Sequence, residues 1–156
     1  MSPTSTPTPT PSVTGAPTAT PPAPTATPIP PLVIDPGPLT VGQPFTLGIA
    51  LLQDITRPFD YYLLAETPAG VYTIYLNGKI KKGITPLYRN IRKYPAPYFT
   101  TVYPKVKIPA FMKGKTVTFY TFAVDAGKRP PVKKLSDLTP STPYVIMCDE
   151  HAVIVN

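Results

Sequence analysis

The sequence predicts an all-β fold: an antiparallel sandwich of about seven to nine strands, preceded by an extended Pro/Thr-rich segment. Three observations predict it. Beyond residue 31, apolar and polar residues alternate with period two in one segment after another. Turn residues punctuate those segments at short intervals. No long stretch carries the 3.6-residue periodicity of a helix.

Residues 1–31 are dominated by Pro, Thr, Ser and Ala, and carry no charge. The hexapeptide Ala-Pro-Thr-Ala-Thr-Pro occurs at 16–21 and again at 23–28. Each Pro fixes φ near −65° and pushes the preceding residue towards extended backbone. A polyproline II spacer is therefore expected, at roughly 3.1 Å per residue, reaching on the order of 90–100 Å. Thr8, Thr10, Thr18, Thr20, Thr25 and Thr27 stand among prolines and are candidate O-glycan acceptors. No Asn-x-Ser/Thr sequon occurs.

Residues 32–156 form the predicted sandwich domain, long enough to bury a core. Leu32-Val33-Ile34 is a short apolar run closed by Asp35-Pro36-Gly37-Pro38. Phe45, Leu47, Ile49 and Leu51 alternate with smaller or polar residues through Leu52. Phe59–Glu66 places Tyr61 and Leu63 on one face and Tyr62 and Leu64 on the other. Thr67-Pro68-Ala69-Gly70 turns the chain into a strand at Val71–Leu76. Asn77-Gly78 predicts a type I′ hairpin into Lys79–Ile84. Residues 85–98 read as irregular. Phe99–Ile108 alternates again, with Pro104 marking an edge or a bulge. Lys113-Gly114-Lys115 is a turn. Thr116–Val124 is apolar on both faces towards its end and is expected at the centre of a sheet. The connection 125–142 holds a helical turn near Leu135–Leu138, and His151–Val155 is the last strand expected.

Strands of this number and spacing point to an immunoglobulin-like architecture. With no Trp and one Cys, the disulfide and tryptophan of antibody domains are absent. The segments Phe59-Asp60-Tyr61-Tyr62-Leu63-Leu64, Thr67-Pro68-Ala69-Gly70-Val71-Tyr72 and Pro109–Tyr120 resemble bacterial extracellular β-sandwich modules. Such modules occur as repeats or C-terminal domains behind Pro/Thr linkers. The resemblance implies fold and an extracellular or cell-surface location, and carries no catalytic residues.

The formal net charge of +7 lies wholly beyond residue 34. Such a balance suits acidic glycans or anionic surfaces, and surplus Lys also blunts exposed sheet edges. No apolar run is long enough to span a membrane. Met1 is followed by Ser-Pro-Thr and not by a leader-like basic and apolar run, so processing or excision upstream is expected.

Little in the sequence points to catalysis. Cys148 and His151 are the only Cys and His, too few for a structural zinc site. The eight acidic residues are scattered. No phosphate loop, nucleophile elbow or calcium loop is present. No metal, cofactor or specific nucleic acid is expected, and the chain is read as a non-enzyme.

The most suggestive patch is 88–98, where Tyr88, Tyr94 and Tyr98 interleave with Arg89, Arg92 and Lys93. Tyrosines that stack and cations that reach carboxylates would make it a contact surface for a partner protein or an acidic polysaccharide. Two functions follow. One is a non-catalytic structural or interaction module, self-associating or bound to other subunits, with an extracellular fibre as one form. The alternative is a carbohydrate-binding module of a polysaccharide-active extracellular enzyme.

Overall fold

A computed structural model describes residues 3, 15, 32–35, 37–51, 54–92, 98–129 and 132–156. The expected spacer with its six threonines, and Lys93 and Tyr94, lie outside the described residues apart from positions 3 and 15. Nine strands are described: β1 (Leu32–Asp35), β2 (Thr46–Leu51), β3 (Phe59–Thr67), β4 (Gly70–Ile74), β5 (Ile80–Lys82), β6 (Tyr88–Ile91), β7 (Tyr98–Val102), β8 (Thr116–Asp125) and β9 (Val145–Ile154). Two single-turn 3-10 helices, Ala110–Met112 and Leu135–Asp137, complete the elements.

The strands form two antiparallel sheets. The smaller has the order β1-β2-β7, and the larger β5-β4-β3-β8-β9. The start of β3 also pairs with β6, through Phe59 with Ile91 and Tyr61 with Tyr88. The longest ladders are β3 with β8 and β8 with β9, so β3 and β8 sit centrally. Their sequences explain the placement. Only a strand covered on both faces can carry apolar residues at successive positions without exposing them.

The inner core lies between the sheets. Leu32, Ile34, Leu47, Ile49 and Val102 pack against Phe59, Tyr61, Leu63, Phe119 and Ala123. Phe45 and Phe119 meet as tilted rings with centroids 5.9 Å apart. Within this core Tyr61 and the fully buried Thr121 hydrogen-bond through their hydroxyls. A second cluster lies on the outer face of the large sheet, where Tyr62, Leu64, Tyr120, Phe122, Val124 and Val145 pack with Leu135 and Leu138 of the connection after β8. Tyr62 and Phe122 stack there, with centroids 4.7 Å apart and planes 12° apart. The connection after β8 is therefore a third layer.

Several expected boundaries move. The region 85–98 is not irregular throughout, because Tyr88–Ile91 pairs with β3 as β6. The strand expected over Phe99–Ile108 ends at Val102, and the chain then leaves the sheet past Pro104. The last strand is twice as long as expected, since Val145–Glu150 also pairs with β8. Cross-strand pairing offsets the weak alternation of Cys-Asp-Glu-His.

The β4–β5 turn is also not type I′. Gly78 donates its N–H to the Tyr75 carbonyl at 2.8 Å, and Tyr75 donates to the Lys79 carbonyl at 2.9 Å. Gly78 has φ +79°, whereas Asn77 stays out of the left-handed region. This is a three-residue loop with a glycine bulge. Asn77 contributes instead through Oδ1, which accepts the Lys79 N–H at 3.0 Å.

Candidate functional site

The outer face of the large sheet carries a cleft of about 610 Å³. Its floor is made by Tyr62, Val71 and Leu135, and its rim by Arg89 on one side and by residues 127–129 and 132–134 on the other. The volume falls within the roughly 300–1,000 Å³ typical of ligand sites.

One carboxylate assembles it. Asp60, second residue of β3, is buried, and its neighbours in register bring two distant segments to it. Oδ1 accepts the Asn90 N–H at 2.7 Å, and Oδ2 accepts the Gly127 N–H at 3.0 Å. Asn90 is held at φ +50°, a conformation Asn tolerates better than most residues. Arg89 precedes Asn90, and Lys128-Arg129 follow Gly127. Asp60 thus places these three cations around one concavity.

Other contacts fix the rim. The Asp125 N–H donates to the Tyr144 carbonyl at 2.9 Å, and Lys128 Nζ lies 5.0 Å from the centre of the Tyr144 ring. Arg57 Nε meets Asp125 Oδ1 at 2.8 Å beneath the same turn. On the opposite rim, Thr73 Oγ1 donates to the Gly83 carbonyl at 2.8 Å and accepts the Thr85 N–H at 2.9 Å. That holds the bend leading to Ile84 and Pro86 against β4. Burial pushes the Tyr62 hydroxyl up from the ordinary phenol range; the Asp60 charge adds to this, and Arg89 and Arg129 oppose it. Tyr62 is therefore a neutral phenol within the field of two guanidinium groups.

The described residues of the patch singled out in the sequence fall on two sheets, with Tyr98 still near enough to Tyr88 to act on its hydroxyl. Tyr88 and Arg89 are exposed on β6, and Arg92 is exposed just beyond it. Tyr98 is half-buried on β7 in the other sheet and packs on the inner core. Of the described members of that patch, Arg89 alone lines the cleft. Sequence reading missed Asp60 as an organiser, and Lys133 and Lys134 as partners of Arg89. Lys128-Arg129 stand out in the sequence, but nothing local says which face of a sheet they and Lys133-Lys134 cover.

Two other places hold chemistry-bearing groups. Cys148 pairs with Phe122 and lies in the outer cluster, whereas His151 pairs with Phe119, an inner-core residue. Three positions apart on a strand, they point to opposite faces. Burial, then Asp149 and Glu150, push the Cys148 thiol up, which keeps it protonated and weakly nucleophilic. Among the described residues no three His, Cys, Asp or Glu side chains gather as metal ligands. At the far end of the sandwich, Phe45, Ile74, Ile108, Phe111 and Met112 line an apolar hollow of about 230 Å³.

A scan against protein-family models and searches of curated proteins and of solved structures found no match. Among the described residues no helix is long and apolar enough to cross a membrane.

Proposed function

We propose that this chain is a non-catalytic structural or interaction module of a secreted or cell-surface bacterial protein. It is an immunoglobulin-like sandwich on an extended Pro/Thr spacer, built into an extracellular assembly such as a fibre. The observation that carries this reading is the character of the cleft: five exposed cations around a floor of packed apolar side chains. Such a surface holds a charged partner by attraction.

Strand order supports the immunoglobulin-like part. In variable-type immunoglobulin domains the second sheet runs C″-C′-C-F-G. The large sheet here has a matching order, and β1-β2-β7 takes the place of A-B-E. After β1 the chain shifts sheets as well. Val41 donates to the Asn156 carbonyl at 3.0 Å, and Asn156 donates to the Leu39 carbonyl at 2.9 Å, the pattern of a parallel pair.

Electron microscopy and light scattering over a range of concentrations test the assembly. Regular filaments support the fibre form, and particles that stay monomeric throughout remove it. Intact mass in hexose-sized steps on residues 1–31 would support a glycosylated spacer.

The cleft also favours a second reading, a carbohydrate-binding module. Retardation in gels containing neutral and acidic glycans tests it, and mobility unchanged by every glycan removes it.

A further inference from the structure

The cleft holds more positive charge than the protein itself neutralises. Its cations are Arg89 from β6 and Lys128, Arg129, Lys133 and Lys134 from the connection. Its carboxylates are Asp60 and Glu66, and both are engaged. Asp60 accepts two backbone N–H groups, and Glu66 Oε2 accepts the Tyr120 hydroxyl at 2.9 Å. Among the described residues, no carboxylate forms an ion pair with any of the five cations.

We propose that this cleft binds a linear anionic glycan, a sugar chain bearing carboxylate or sulfate groups along its length. The inference rests on the carbohydrate-binding reading above and gives it a place and a ligand class. Charge is the first argument. Cations without a carboxylate partner, clustered on one concave face, raise the local concentration of anions and speed their capture, and the Tyr144 ring under Lys128 leaves its charge in place. Arg89 and Arg129 add forked donors that match a carboxylate or a sulfate.

Shape is the second argument. The cleft runs beside β3 from Asp60 to Glu66, on the order of 20 Å at the rise of a strand. A trough of that length suits a chain better than a single small anion.

The third argument is what the floor lacks. Among the described residues, Tyr62 is the only aromatic lining the cleft; it is 4% exposed and has its ring stacked on Phe122. Among the described residues no ring face is offered in the cleft for a neutral sugar or a nucleic-acid base to stack on. Ile84, 50% exposed, leaves a small apolar ledge for the C–H face of a sugar.

Titration calorimetry on the full chain tests the site, with polygalacturonate, heparin, single-stranded DNA and dextran as probes at low and physiological salt. Binding to polygalacturonate or heparin is expected, weakening as salt rises. Polygalacturonate bears carboxylates alone and heparin bears both carboxylates and sulfates, so binding to heparin alone would show that sulfate is needed. Arg89→Glu/Arg129→Glu and, separately, Lys133→Glu/Lys134→Glu are each expected to weaken binding by about tenfold or more. Lys105→Glu/Lys113→Glu makes the same change in net charge away from the cleft and is expected to leave affinity within about twofold.

Equal losses in all three variants would show attraction to net charge alone and overturn the cleft as the site. Dextran binding without anion binding would overturn the ligand class while leaving the carbohydrate-binding reading intact. DNA binding as tight as glycan binding, and lost in the same cleft variants, would overturn the glycan in favour of nucleic acid. No binding to any probe would remove this inference and the carbohydrate-binding reading, leaving the assembly reading to its own test. Circular dichroism of each variant separates lost binding from lost folding.

Discussion

At the scale of single residues, two positions carry more than their neighbours. Asp60 is a buried carboxylate whose two oxygens each accept a backbone N–H from a different segment. Asp60→Ala leaves both donors without a partner and is expected to cost about 1–3 kcal/mol. Hydrogen exchange should show Asn90 and Gly127 losing protection while the β3–β8 ladder keeps it. Unchanged exchange at both amides would deny Asp60 its organising role. Gly78 is the second such position. Its φ is +79°, and its carbonyl accepts the Lys105 N–H at 2.8 Å. A Cβ there would meet the Tyr103 carbonyl oxygen. Gly78→Ala therefore adds backbone strain and a clash with main chain, at a cost of about 1–3 kcal/mol, readable as a lower urea midpoint.

At the scale of elements, the turn at Leu135–Leu138 between β8 and β9 covers part of the outer face of the large sheet. Leu135 is buried against the outer cluster, and the Lys134–Leu138 turn is closed by Asp137 N–H to Lys134 and Leu138 N–H to Leu135 bonds of 3.1 and 3.0 Å. Leu135→Ala removes most of a buried side chain and is expected to cost about 2–5 kcal/mol. Protease cleavage within 126–144 should rise before the sheets unfold. If cleavage and urea midpoint both stay as in the parent chain, the third layer does not stabilise the sandwich.

The same scale shows what local pattern leaves out. Leu135–Leu138 was legible as a helical turn because its apolar residues sit three apart. Tyr88–Ile91 was not legible as a strand, because all its residues but Ile91 are exposed and no alternation marks it. Pairing with β3 alone makes it one. Likewise, the acidic start of the segment 149–155 hides a strand that runs unbroken from Val145 to Ile154.

At the scale of the whole molecule, phenols that folding shields wholly or in part from water tie stability to pH. Burial, chiefly, pushes the hydroxyls of Tyr61, Tyr62, Tyr88 and Tyr120 up from the ordinary value of 10.0, and a hydrogen bond to Glu66 adds to the effect at Tyr120. Above pH 10 the unfolded chain releases protons that the native state retains. Stability is then fully present below about pH 10 and falls as pH climbs beyond it. Urea midpoints at pH 9 and pH 11 should show the loss, and Tyr61→Phe combined with Tyr120→Phe should shrink it. An undiminished drop in the double variant would place its cause elsewhere.

The sequence by itself determined the all-β class, the approximate position of most strands and the central place of Thr116–Val124. Those follow from period-two alternation and turn chemistry, which act over a few residues and are written locally. The tertiary structure alone decided the cleft. Arg89 and Lys128-Arg129 are far apart in the chain, and they meet because Asp60 pairs in register with Val124 and binds the N–H groups of Asn90 and Gly127. Register across a sheet depends on which faces are buried together, and no single segment encodes that.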